Sequence, residues 1–162
     1  MDDPRELFLH ELGDVLYAER VLVSALPKLQ QEAYDKELAT AFKTHLAETR
    51  GHVKNLEQAF KALGEKAKAE KCPGIDGIKK EHDEFVESES PSPVVLDAFL
   101  TGAGARAEHY EIAAYEGLVT TARALKETEV ARLLSANLAE KRQALSKLKA
   151  INQRLARANA AV

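Results

Sequence analysis

Apolar residues recur at helical spacing in four long stretches of this chain. The first carries Phe8, Leu12, Val15, Leu22, Leu26 and Leu29. Steps of three and four place residues on one helix face. One seam position, between Val15 and Leu22, holds Glu19 instead. The second stretch reads Leu38, Phe42, His45, Thr49, His52, Leu56, Leu63, again polar at its middle. The third reads Gly104, Glu108, Glu111, Tyr115, Leu118, Ala122, Leu125, and the fourth Leu133, Asn137, Glu140, Ala144, Leu148, Ile151.

End signals bound the helices these seams predict. Asp3 caps the first, Pro4 suits its first position, and the helix covers about residues 4–33, with a kink expected at Pro27. Asp35 and Gly64 bracket a helix over about 36–63. Ser92 and Pro93 open one over about 93–125. Thr128 is the candidate cap for the last, about 129–156, where no Gly or Pro marks the boundary. Residues 64–92 form a connection holding Cys-Pro-Gly, a short amphipathic helix near 75–87 and Ser-Glu-Ser-Pro-Ser-Pro. It is long enough to cross a bundle, so the helices it joins can run parallel. Gly51, inside the second helix, costs about 1 kcal/mol relative to Ala, a cost that a close neighbouring backbone would explain.

The reading is therefore all-α, one domain over residues 1–162, a four-helix bundle with a long crossover carrying a short fifth helix. That length supports a core without disulfide or metal staples. Lys and Arg are scattered among Asp and Glu, with a net charge of −3, so no nucleic-acid partner is expected. No apolar run approaches a membrane span, and no leader pattern opens the chain, so the expected location is cytoplasmic. The single cysteine, Cys72, rules out an internal disulfide and a four-cysteine iron module.

Chemistry enters at the polar midpoints. Burying an unpaired charge costs several kcal/mol, so Glu19 needs a proton, a cation from another helix or a metal. The midpoints of four bundled helices lie at one level, where Glu19, Glu48, Glu108, Glu111 and Glu140 would repel one another. Two divalent cations would offset them, and oxygen and imidazole donors suit iron, manganese or zinc. His52 joins Glu48 on the second helix as a candidate ligand. His45 and Tyr115 are candidates for positioning the ligands, as is Gln143, three residues after Glu140. His10, His82 and His109, Asp14, Tyr17 and Cys72 read as structural or surface residues.

The stretches LFLHELGDVLYAER, HLAETRGHVKNLEQAF, KCPGIDGIKKE and EHYEIAAYEGL resemble the YciE/YciF family of ferritin-like proteins. The resemblance implies a ferritin-like bundle with a di-metal centre of iron, as in rubrerythrins, a homodimer, and a stress-linked role. It matches Glu19, Glu48, Glu108, Glu111 and Glu140 to metal ligands. One departure stands out. Di-iron bundles carry Glu-x-x-His on two helices. Here Glu48 is followed at three by Gly51, and Glu140 by Gln143.

Two functions follow. One is a di-metal oxidoreductase acting on oxygen or peroxide, with electrons from an external donor. The other is a non-catalytic dimeric scaffold with zinc or no metal in the site. A purely structural bundle, its polar residues fixing register, would need fewer of them than these midpoints supply.

Overall fold

The computed structural model describes residues 1–160; the last two residues of the expected domain lie outside it. The chain forms α1 (Pro4–Glu32), α2 (Lys36–Ala62), α3 (Pro73–Glu89), α4 (Pro93–Ala124) and α5 (Thr128–Ala160). Four of these make the bundle, and α3 lies across it within the crossover, against α1 and α4.

The helix starts follow local chemistry. The Asp3 carboxylate accepts from Arg5 N, and Asp35 accepts from Glu37 N and Leu38 N. These bonds satisfy amides that have no partner within the helix. Ser92 sits at the N-cap of α4 without a side-chain bond. α1 stays helical through Pro27. Thr128 is the first helical residue of α5, not its cap, and α3 is longer than expected at both ends.

Two helix ends share one closing motif. After α2, Gly64 takes φ 76°, Glu65 N donates to Phe60 O and Gly64 N to Lys61 O. After α4, Lys126 takes φ 62°, Glu127 N donates to Ala122 O and Lys126 N to Arg123 O. Both are Schellman turns. Lys126 occupies a left-handed position that usually selects glycine, which is why no glycine marked this boundary in the sequence.

Chain direction follows from end contacts. The carboxylate of Asp97, in the first turns of α4, accepts from Tyr34 N and Asp35 N at 2.9 Å each. The starts of α2 and α4 therefore lie at one end of the bundle, and the two helices run parallel. Arg154, late in α5, reaches Asp35 and Glu37, so α5 runs opposite to α2.

The crossover is held tightly. Glu70 N donates to Gly13 O at 3.0 Å, and a Cβ on Gly13 would lie 2.6 Å from Lys68 O. Only glycine allows that approach. His82 Nε2 contacts Glu32 Oε2 at 2.8 Å, and the Tyr17 hydroxyl donates to Asp76 at 3.0 Å, pinning α3 to α1. Gly51 differs from expectation, because nothing lies within 4 Å of where its Cβ would stand.

The apolar core is split in two. One cluster gathers Phe8, Leu12, Leu16, Leu56, Phe60, Leu118, Leu134 and Leu138 toward the start of α1. The other gathers Leu22, Leu26, Leu38, Phe42, Ile75, Leu100, Leu148 and Ile151 toward the opposite end. Between them lies a polar level.

A polar centre organised by Lys141

The seams of α1, α2, α4 and α5 turn the same level inward. α1 supplies Glu19, α2 supplies His45, Thr49 and His52, α4 supplies Glu108, Glu111 and Tyr115, and α5 supplies Asn137 and Lys141. All of these side chains are buried. Glu19, Glu111, Asn137 and Lys141 are each 0% exposed.

Lys141 is the hub. Its Nζ donates to Glu111 Oε2 at 2.7 Å and to Glu19 Oε2 at 3.1 Å. The Tyr115 hydroxyl donates to the other Glu19 oxygen at 2.7 Å, and Asn137 Nδ2 donates to the Tyr115 oxygen at 3.1 Å. Asn55 donates to Asn137 Oδ1 at 2.7 Å, which fixes the orientation of that amide. Glu19 therefore has its cation, and that cation comes from another helix.

The two histidines sit between carboxylates. His52 Nε2 lies 2.9 Å from Glu140 Oε2 and His52 Nδ1 lies 3.2 Å from Glu19 Oε1. His45 Nε2 lies 2.7 Å from Glu108 Oε1 and His45 Nδ1 lies 3.3 Å from Glu48 Oε2. The contacts of His45 Nε2 and His52 Nδ1 are off the hydrogen-bonding direction. Thr49 Oγ1, Glu108 Oε2 and Glu111 Oε1 also lack a partner.

Charge states follow from these neighbours. Burial pushes the Glu19 carboxyl up, but Lys141, His52 and Tyr115 together outweigh it and hold it at about 2. Burial also pushes Glu111 up, the Glu19 charge adds to this, and Lys141 only partly offsets them, leaving it at about 8. The two carboxylates share one ammonium yet move in opposite directions. Glu19 has two donors, Lys141 and Tyr115, with His52 close by, and Glu111 has only Lys141, so Glu111 is the first to take a proton. Burial alone would depress the His45 imidazole, but Glu108 and Glu48 raise it to about 9. Burial opposes the Lys141 charge as well, and Glu111, Glu19 and Glu108 override it, raising the ammonium above its usual range.

The expected site residues divide into two groups. Glu19, His45, His52, Glu108, Glu111 and Tyr115 meet in the sealed centre. Glu48 and Glu140 stand at its margin, with side chains 29% and 48% exposed, and touch it only through the histidines. Gln143 is exposed and takes no part. His10 and His109 are exposed, while Cys72 is buried with its sulfur 3.2 Å from the Tyr110 hydroxyl.

The inward residue of α5 is Lys141, not Glu140, a one-residue shift of the expected seam. The signal was present. Leu134, Leu138, Lys141, Leu145 and Leu148 step by four, three, four and three, as the α1 seam does, and all are buried. Asn137 was on the expected face, but its part in ordering Tyr115 follows only from the contact.

These residues fit two metal ions poorly. A di-iron bundle places Glu-x-x-His on two helices. Three residues before His52 stands buried Thr49, and the inward positions of α5 are Asn137 and Lys141. An ammonium holds the space between Glu19 and Glu111. Among the described residues, no three His, Cys, Asp or Glu side chains gather closely enough to hold one ion.

Parallel and antiparallel long helices, a crossover along the bundle and a polar centre built from facing helices define a ferritin-like four-helix bundle. The family model described as a domain of unknown function, DUF892, matches residues 3–161, and the chain belongs to that family. The Escherichia coli K12 protein YciF is 36% identical over 138 residues, covering 85% of this chain and 82% of that protein. The solved structure of the Escherichia coli stress protein YciF has a TM-score of 0.92 at 34% identity, covering 97% of this chain and 99% of that one. The YcfI structure from Rhodopseudomonas palustris has a TM-score of 0.89 at 38% identity, covering 91% and 94%. Among the described residues, no helix is long and apolar enough to cross a membrane.

Proposed function

We propose that this protein is a stress-linked ferritin-like scaffold, a cytoplasmic homodimer that acts through protein contacts and not by redox turnover. The stress link rests on the relative called a stress protein. The non-redox reading turns on one observation: the Lys141 ammonium lies between Glu19 and Glu111, where a di-metal centre would need a metal. Ion pairs of this kind keep a bundle in one register while contributing little net stability.

A second reading, two metal ions with iron the leading candidate and manganese or zinc the others, is favoured by a specific observation. Five buried polar atoms without partners concentrate at this one level, and such atoms often mark a bound ion or water. In that reading Glu19, His52, Glu108 and Glu111, with Glu48 and Glu140 at the margin, hold the metals. Bound iron would supply oxygen or peroxide reduction, fed by an external electron donor. It requires Lys141 to leave its place.

Peroxide consumption by Fe(II)-reconstituted protein separates the two. A rate equal to that of the Glu111→Gln variant supports the scaffold reading. Turnover that is lost in Glu111→Gln would overturn it.

A further inference from the structure

Beside the polar centre, under the crossover helix, the bundle holds a cavity of about 80 Å³. All five helices line it, and its buried wall includes Leu26, Phe42, Ile75, Leu100 and Leu148. Alanines leave the room. α1 turns Ala25 toward the space, α2 Ala41, α4 Ala103 and Ala107, and α5 Ala144. Larger side chains at these positions would close it. An unfilled cavity costs stability in proportion to its volume, and a guest that fills it restores the missing contacts.

The charged members of the lining carry both signs and are already matched or face water. Lys79 pairs with Asp83, and His82 contacts Glu32 and Asp83 through its two nitrogens. Glu48 and Glu108 flank His45, and Lys147 is exposed. His45 Nε2 and Glu108 Oε2 lack hydrogen-bond partners, but almost none of their surface is accessible, so nothing held in the cavity reaches them. The space therefore offers no anchor to an ion of either sign. A buried water needs two to four polar partners, and the apolar wall supplies none. Lys79 and Lys147, both exposed, mark where the cavity meets solvent, which gives a small guest a way in.

We infer that this cavity is a binding site for a small neutral apolar molecule, a hydrocarbon of three or four carbons in size and character. Size follows from volume. An apolar cavity of ~150 Å³ takes up benzene and stays dry without it, and this one has about half that volume. Affinity comes from burying the guest's apolar surface among Leu26, Phe42, Ile75 and Leu100. The inference is independent of the scaffold reading and of whether the polar centre holds metal, because the apolar wall and its volume carry it.

The test follows amide NMR shifts of the full-length protein, with cyclopropane as probe and propylammonium, propionate and benzene for comparison. Cyclopropane should move resonances around Leu26, Phe42, Leu100 and Ala107 and saturate with a Kd of about 1–10 mM, near the limit for a ligand of three heavy atoms. Propylammonium and propionate should each bind at least about tenfold more weakly, because their charges lose hydration and gain no partner inside. Benzene should leave these resonances in place, being too large. Ala25→Leu and Ala144→Leu, at half-buried edges of the lining on α1 and α5, should each fill the space and abolish cyclopropane binding. Absence of saturable shifts at the lining residues, any comparison probe binding as tightly as cyclopropane, or an unchanged affinity in a folded variant would each overturn the assignment. If neither variant folds, the ranking of the four probes decides alone.

Discussion

The Lys141 ammonium donates to Glu111 at 2.7 Å, and both side chains are fully buried. Their partner Glu19, on the far side of the same ammonium, is equally buried. Two carboxylates and one ammonium leave an excess negative charge, and Glu111 relieves it by holding a proton up to about pH 8. The centre is therefore an ion-pair network closed from within, and its behaviour on substitution and on titration follows.

Removing the hub should cost the most. Lys141→Ala leaves Glu19 and Glu111 without their cation, and breaking a buried pair costs about 3–5 kcal/mol. The triple change Glu19→Gln, Glu111→Gln and Lys141→Met removes Lys141 together with both of its carboxylate partners and should recover most of that loss. Urea denaturation of the three proteins measures both effects. A Lys141→Ala protein as stable as the parent would show that the ammonium does not sit where it is placed here.

Stability should fall as pH rises from about 5 to 9. Glu111 ordinarily titrates near 4.5 and is raised to about 8, so its contribution is complete below 4.5 and is lost as pH climbs to 8. His45 is raised from 6.5 to about 9, so its share disappears over that later window. Glu19, lowered from 4.5 to about 2, acts on the acid side, and its share is lost as pH drops through that range. Denaturant midpoints across pH 3–9 should thus peak near pH 5. Glu111→Gln should flatten the slope between about 5 and 8 while leaving the acid limb intact.

Two backbone positions are open to improvement. Gly51 lies inside α2 with free space around its missing side chain, so Gly51→Ala should stabilise by up to about 1 kcal/mol through helix propensity. Lys126, at φ 62°, holds a conformation that costs an L-residue roughly 1–2 kcal/mol. Lys126→Gly should recover part of that. Thermal midpoints rising in both variants, additively, are the expected outcome.

The crossover should be sensitive at Gly13. An added methyl there meets the Lys68 carbonyl oxygen at 2.6 Å and the Glu70 side chain at 2.9 Å. Gly13→Ala should lift residues 68–70 off α1 and break the bond from Glu70 N to Gly13 O. Faster amide exchange at Glu70, with the bundle helices unchanged, is the readout. Unaltered exchange would show that the strap has slack.

Much of this fold was legible because its signals are local. Asp3, Asp35 and Gly64 mark helix ends by side-chain and backbone chemistry that depends on a few neighbouring residues. The polar seam of α2 was read correctly because His45, Thr49 and His52 interrupt an otherwise apolar face. The α5 seam was misread by one position. Two overlapping apolar rows run along that helix, and a lysine looks like solvent-facing charge unless its carboxylate partners are already in view. Those partners, Glu19 and Glu111, lie 122 and 30 residues away, a distance that periodicity within one helix does not bridge. The close backbone that would explain Gly51 is not there, since nothing lies within 4 Å of its missing Cβ, and the sequence of one helix does not tell which neighbours it meets.

The most direct test of a centre neutralised by Lys141 is metal content per chain. Protein purified without a histidine tag is reconstituted anaerobically with Fe(II), desalted and measured by plasma mass spectrometry. The account predicts iron well below one per chain, with no difference between the parent and Glu111→Gln. Close to two irons per chain, lost in Glu19→Ala and in Glu111→Gln, would contradict it and establish a di-metal centre.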